Sequence, residues 1–201
     1  GGKNAQRHTS DQIQFNFIRN VTGMKTTVGG NLLTPYHSWG IYLDGFASKA
    51  RIFGNIVVDT FLGAIHIHGG QENLIQNNIF VNGERRQIQL LPITNRDHSY
   101  MKDNVFRQNI VVSTNPEAPL YYCPSSVWRK EILKECDFNL YWNINETNQS
   151  FIKTPEGNWK QWRKMGFDEN SIISDPLFES YKKGHYKIAE GSPVWQLGFK
   201  S

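Results

Sequence analysis

The chain has only two cysteines, Cys123 and Cys136, in 201 residues. Two thiols cannot make a disulfide framework, and they lack the additional spaced ligands of a zinc site. They read as small apolar packing residues, with a single mutual disulfide left open. Long apolar runs are missing as well. No stretch approaches the roughly 20 residues of a membrane-spanning helix, and segments such as Asn55-Ile-Val-Val-Asp59 are broken by polar positions. Charge of one sign is not gathered anywhere: the formal net charge is +4, but Lys and Arg form no stripe interleaved with aromatics. That removes the usual footprint of a nucleic-acid binder while still permitting an anionic polymer as substrate. Asp44 has no stacked carboxylate beside it, so a calcium cage is not expected, and neither a metal nor a cofactor is implied.

What the chain does contain is repetition. Gly40-Ile-Tyr-Leu-Asp-Gly45, Ala64-Ile-His-Ile-His-Gly69 and Gln87-Ile-Gln-Leu-Leu-Pro92 share one pattern, with Ile41, Ile65 and Ile88 spaced 24 and 23 residues apart. A fixed period of that size marks a stack of similar coils. Within each run apolar and polar residues alternate, so Ile41/Leu43, Ile65/Ile67 and Ile88/Leu90 point inward, and Tyr42/Asp44, His66/His68 and Gln89 point outward. A second column, Asn16, Asn55, Asn78, Asn109 and Asn139, recurs at intervals of 39, 23, 31 and 30, each asparagine preceding apolar residues. Asparagine accepts left-handed backbone and bonds nearby amides, which suits a corner repeated from coil to coil. Ile56 and Ile79, following two of these asparagines, are expected inward.

The predicted fold is all-β: a parallel solenoid of about five or six coils with a short C-terminal helical and aromatic cap. Residues 1–150 are read as coils and 151–201 as the capping segment of the same domain. The N-terminus reads as entering in mid-coil, so either further coils upstream of Gly1 or a cover supplied by another subunit is expected. Asn158–Gly166 reads as a short amphipathic helix carrying Trp159 and Trp162. Together with the segments that follow, it is expected to cover the last open coil.

The outward residues carry the chemistry. In register, Tyr42 stacks beside His66 and Gln89, and Asp44 beside His68, at the spacing of about 4.8 Å between parallel strands. A carboxylate flanked by histidines can have its ionisation tuned for acid–base work, which makes Asp44, His66 and His68 the catalytic candidates. Tyr42 and Gln89 are candidate sugar contacts. Tyr36, His37 and Trp39 lie in a long insertion before Gly40, where they either touch substrate or pack the loop down. Glu72 and Asp59 are the nearby carboxylates that could complete a hydrolytic pair, Asp59 also reading as a turn residue. Arg85 and Arg86, with Arg96, His98 and Lys102, could neutralise a uronate.

The Asn-ladder coils and the closing Ser174-Asp-Pro-Leu-Phe178 and Gly191-Ser-Pro-Val194 segments resemble right-handed parallel β-helix proteins of the pectate-lyase-like superfamily. The pair Gly40-Ile-Tyr-Leu-Asp-Gly45 and Ile65-His-Ile-His-Gly-Gly70 resembles β-helix glycoside hydrolases of the fucosidase and xylanase type. The resemblance implies a secreted or periplasmic protein that hydrolyses a complex glycan. A polysaccharide lyase and a non-catalytic carbohydrate-binding face are the alternatives, and a homo-oligomer is left open.

Overall fold

The computed structural model describes residues 7–8, 10–95, 98–99 and 101–200, with side chains at 10–93 and 101–200. Arg96 lies outside these residues, as does the side chain of His98.

Three parallel sheets account for most of the strands. Sheet 1 contains Gln12–Gln14, Arg51–Phe53, Leu74–Gln76, Asn104–Arg107 and Leu133–Asp137. Sheet 2 contains Phe17–Val21, Ile56–Thr60, Ile79–Gly83, Ile110–Ser113, Leu140–Asn143 and Ile172–Ile173. Sheet 3 contains Trp39–Leu43, Gly63–His68, Ile88–Leu91 and Tyr121–Tyr122. The chain visits sheets 1, 2 and 3 in that order and then repeats the cycle, each strand pairing with its counterpart from the previous round. Stacked parallel sheets of this kind are all-β and compatible with a β-helix. No helix among the described residues is long and apolar enough to cross a membrane.

The interior is filled by in-register residue columns from each sheet, sheet 3 adding a second one of Leu43, Ile67 and Leu90. Ile52, Ile75, Phe106 and Cys136 come from sheet 1, Val57, Phe80, Val111 and Tyr141 from sheet 2, and Ile41, Ile65, Ile88 and Tyr121 from sheet 3. In-register pairing of Ile41, Ile65 and Ile88 places like side chains directly over one another. Burying each aliphatic chain contributes about 1.5–3 kcal/mol.

The asparagine column forms a hydrogen-bonded ladder. Asn55, Asn78, Asn109 and Asn139 are fully buried. The side-chain oxygen of each accepts from the backbone N–H and the side-chain amide of the asparagine one round earlier. The ladder corrects the expected backbone: the left-handed residue is the one before each asparagine, namely Phe15, Gly54, Asn77, Gln108 and Phe138. It also corrects two inward residues. With the asparagine side chain turned to the interior, alternation sends the next residue outward and the one after it inward. Ile56 and Ile79 therefore belong to a separate outer cluster with Val58 and Val81, while Val57 and Phe80 fill the core. A second ladder, Asn73 on Asn104, stands at the corner entering sheet 1, each member again preceded by a left-handed residue, Glu72 and Asp103.

The C-terminal segment divides its work. The helix Trp159–Lys164 opens with a capping box between Asn158 and Gln161. It buries Trp159 and Trp162 against the last interior aromatics, Tyr141 and Tyr121. Asp168, fully buried, is bound by Trp162 Nε1, Tyr141 Oη, Asn139 Nδ2 and Ser171 Oγ, which ties this cap to the end of the ladder. The later segments do not cover the last coil as expected. Ile188, Val194, Leu197 and Phe199 pack along the outer face of sheet 2, where the unexpected apolar stripe of Ile56, Ile79 and Ile110 needs burial. Gln108 Nε2 fastens this return by donating to the Leu197 and Gly198 carbonyls. Both cysteines are free and buried.

Asn109, like Asn55 and Asn78, is a fully bonded rung, its amide donating to Ile75 O, Arg107 O and Asn139 Oδ1 and its oxygen accepting twice from Asn78. Asn109→Ala should cost about 3 kcal/mol or more, because each buried polar group left unpaired costs about 1–3 kcal/mol. The exposed end rung, as Asn16→Ala, should cost less than about 1 kcal/mol. Urea unfolding of both variants checks this, and equal losses would show that the ladder is not the source of cohesion.

Candidate functional site

Sheet 3 presents its polar residues in register on the outer side. Tyr42 pairs with His66, His66 with Gln89, and Gln89 with Tyr122. The Tyr42 and His66 rings stack at 4.5 Å with planes 4° apart. Beside this column, His68 Nδ1 lies 2.8 Å from Asp44 Oδ1, and Tyr42 Oη lies 3.2 Å from the same oxygen. Asp44 is exposed and Tyr42 partly so, which leaves this trio at the surface.

The electrostatics separate the two histidines. The His68 hydrogen bond, helped by the Gly45 N–H and the Tyr42 hydroxyl, holds Asp44 below the ordinary carboxylate range. Asp44 is therefore an anion that can only accept, which places a proton on His68 Nδ1 and leaves Nε2 as the ring's acceptor. Burial, then Asp44 charge, raises Tyr42, so its hydroxyl stays protonated and donates. His66 behaves differently: burial first, then the charge of His68, drives its pKa down to about 3. It is neutral through the ordinary pH range and serves as a fixed hydrogen-bonding ring.

Its tautomer is set by a chain of contacts. Arg86 Nη1 donates to Gln89 Oε1 at 2.5 Å, so the Gln89 amide nitrogen faces His66 Nε2 at 3.0 Å. Arginine can only donate, so Nε2 of His66 accepts and its proton resides on Nδ1. Arg86 is itself held over the Tyr122 ring at 4.1 Å and near Trp39 at 6.0 Å. Gly63 makes room for the indole, since a Cβ there would come 2.6 Å from Trp39 Cζ3. Three buried N–H groups in this neighbourhood, Trp39 Nε1, His66 Nδ1 and Arg86 Nε, have no acceptor among the described residues.

The sequence-predicted residues thus fall into three groups. Tyr42, Asp44, His66, His68, Gln89, Arg86 and Trp39 are brought together. His37 is a neighbour whose charge reaches His66, and it touches Tyr36, which is engaged by Lys25. Glu72 and Arg85 stand apart. Glu72 occupies a left-handed corner before Asn73, its N–H donating to Lys102 O, and Arg85 stacks over Phe61 on another edge of the sheet. Tyr122 is the residue that sequence reasoning missed, although its register with Gln89 follows from reading Leu120–Cys123 as a face strand.

Comparison with known protein families, curated proteins and solved structures finds no match for this chain. The geometry of the face therefore carries the functional argument by itself.

The depressed pKa of His66 has a direct consequence for stability. A group whose folded pKa lies below its unfolded value of 6.5 favours folding above that value, and the contribution is lost as pH falls toward about 3. The His66 ring should show no NMR titration between pH 8 and 4, and His66→Gln should flatten the loss of Tm over the window from about 6.5 to 3. A ring that titrates near 6.5 would mean that His66 is open to solvent.

Proposed function

We propose that the chain is a right-handed parallel β-helix of the pectate-lyase-like type whose outer sheet 3 face hydrolyses a complex glycan outside the cytoplasm. The observation that carries the reading is the 2.8 Å contact between His68 Nδ1 and Asp44 Oδ1 on an exposed aromatic face. Asp44 orients the ring and stabilises the imidazolium that forms when Nε2 takes a proton, so the pair acts as a general base toward water. Tyr42 offers a sugar platform with a hydroxyl fixed by Asp44. The N–H groups of Trp39, His66 and Arg86 that lack acceptors supply donors for sugar oxygens once the covering rings shift. Arg86, locked between Gln89 and Tyr122, gives the face a cation that does not depend on pH.

One observation favours a second reading. No other carboxylate contacts the Asp44–His68 pair among the described residues, and hydrolysis ordinarily uses two, about 5–9.5 Å apart. Elimination from a uronate needs only a base beside a cation, which His68 and Arg86 could supply.

Two measurements test these readings. Asp44→Asn keeps the shape and removes the charge, so turnover of the cognate glycan should fall by roughly 10². Products should be new reducing ends without near-ultraviolet absorbance. Unsaturated products would replace hydrolysis by elimination, unchanged turnover in Asp44→Asn would move the chemistry elsewhere, and binding without cleavage would make the face a carbohydrate-binding surface.

A further inference from the structure

The return of the tail over sheet 2 leaves one part of the outer apolar stripe incompletely covered. There the tail and the corner between sheets 1 and 2 enclose a cavity of about 540 Å³, within the range of small-molecule sites. Ile56 and Ile79 of the stripe line it, with Phe15 and Phe53 from the corner and Trp195 and Phe199 from the tail. None of Tyr42, Asp44, His66 or His68 takes part, so the cavity is separate from the sheet 3 face.

Both walls are pinned. A Cβ added to Gly54 would come 2.7 Å from Phe15 Cε1, so the missing side chain lets the Phe15 ring lie against the Gly54 backbone. The same ring meets Phe53 edge-on at 5.7 Å. On the tail side, Trp195 Nε1 donates to Ala189 O at 2.9 Å and the indole meets the Phe199 ring at 6.3 Å. Gln108 Nε2 donates to the Leu197 and Gly198 carbonyls, and the Lys200 N–H donates to Asn77 Oδ1 at 3.4 Å. Asn77 and Gln108 belong to the left-handed corner column, so the tail is tied to the corner that forms the opposite wall.

Phe15 is the decisive residue. It is 74% exposed and stands in the left-handed region at φ +56°, where Gly54, Asn77 and Gln108 hold the equivalent position in the next three rounds. Left-handed backbone is costly for a bulky side chain, and a ring left in water recovers little by burial. Glycine or asparagine would avoid both costs, so an open aromatic ring on the wall of an apolar cavity points to a ligand that covers it. Charge gives that ligand its second property. Among the described residues no Asp or Glu side chain lines the cavity, whereas Lys187 and Lys200 do. Lys187 is paired with Glu179 at 2.7 Å, and Lys200 has no carboxylate partner among the described residues.

We propose that this cavity binds an apolar monocarboxylate of small-molecule size, an aromatic or medium-chain aliphatic acid, with its apolar body between Phe15 and the tail and its carboxylate at Lys200. The aromatic walls take the apolar body by stacking or edge contact, and its entry removes Phe15 and the uncovered stripe from water. Lysine acts on the acid as a point charge. It repels an ammonium group on the same body, which separates acids from amines of one shape. The function assigned to sheet 3 is not needed for this site.

The test uses the whole chain, with 2-naphthoate and decanoate as probes and 2-naphthylmethylammonium and decylammonium as counterparts of the same body and opposite charge. At least one acid should shift the backbone NMR signals of Gly54, Ile79 and Phe199, and the stronger of the two identifies a ring or a chain as the preferred body. Each ammonium counterpart should bind more weakly than its acid. Lys200→Gln should weaken binding of the acid by roughly threefold and remove most of its advantage over the amine. Phe15→Asn, which the left-handed backbone accepts, should weaken binding by roughly tenfold while leaving Tm unchanged or raised, whereas a merely structural ring would show a lowered Tm. Absence of shifts with both acids, equal affinity for acids and amines, shifts confined to Tyr42 and His68, or full affinity in Phe15→Asn would overturn the proposal.

Discussion

The buried amide ladder is the constraint on which the rest depends. Each asparagine at the sheet 2 corner faces the interior, where its amide cannot reach water, so it must bond to its neighbours in the next round. That requirement fixes the axial spacing and the register together. Once the corners are fixed, like residues fall on like residues in all three sheets, and the interior becomes columns of Ile, Val, Phe and Tyr. The Tyr42–His66–Gln89 alignment is the outward counterpart of the same registration.

Both ends of the ladder need a terminus that satisfies its last donors. At the C-terminal end Ser171 and Asp168 take the place of a further asparagine, receiving the Asn139 backbone N–H and side-chain amide. Asp168 also accepts from Trp162 and Tyr141, so one buried carboxylate couples the polar ladder to the aromatic plug. Burial raises its pKa, and four donors counter that rise, which is how a carboxylate is tolerated there. The return of the tail along sheet 2 follows from a separate demand, since the outward column of that sheet is as apolar as its inward one.

On sheet 3 the same scaffold produces two histidines with different properties from one repeated motif. His66 and His68 are two residues apart and share a face, yet one is buried beneath Tyr42 and the other stands beside an exposed carboxylate. The difference arises from the neighbouring rounds. Gln89, fixed by Arg86, engages His66 from one side, and Asp44 engages His68 from the other.

The residue pattern by itself determined the all-β class, the asparagine columns, the inward Ile41, Ile65 and Ile88, and the pairing of Tyr42 with His66 and of Asp44 with His68. These are readable because neighbours one round apart occupy equivalent positions in a repeat. Tertiary structure alone decided what repetition does not encode. The one-residue offset that turned Ile56 and Ile79 outward depends on which way the asparagine side chain faces, and the neutral state of His66 depends on burial by rings from other rounds. The separation of Glu72 and Arg85 from the Asp44 face, the course of the tail over sheet 2, and the cavity that the tail leaves beside Phe15 come from non-repeating segments. Their paths are set by which apolar surface remains to be covered, a property of the folded stack and not of any local spacing.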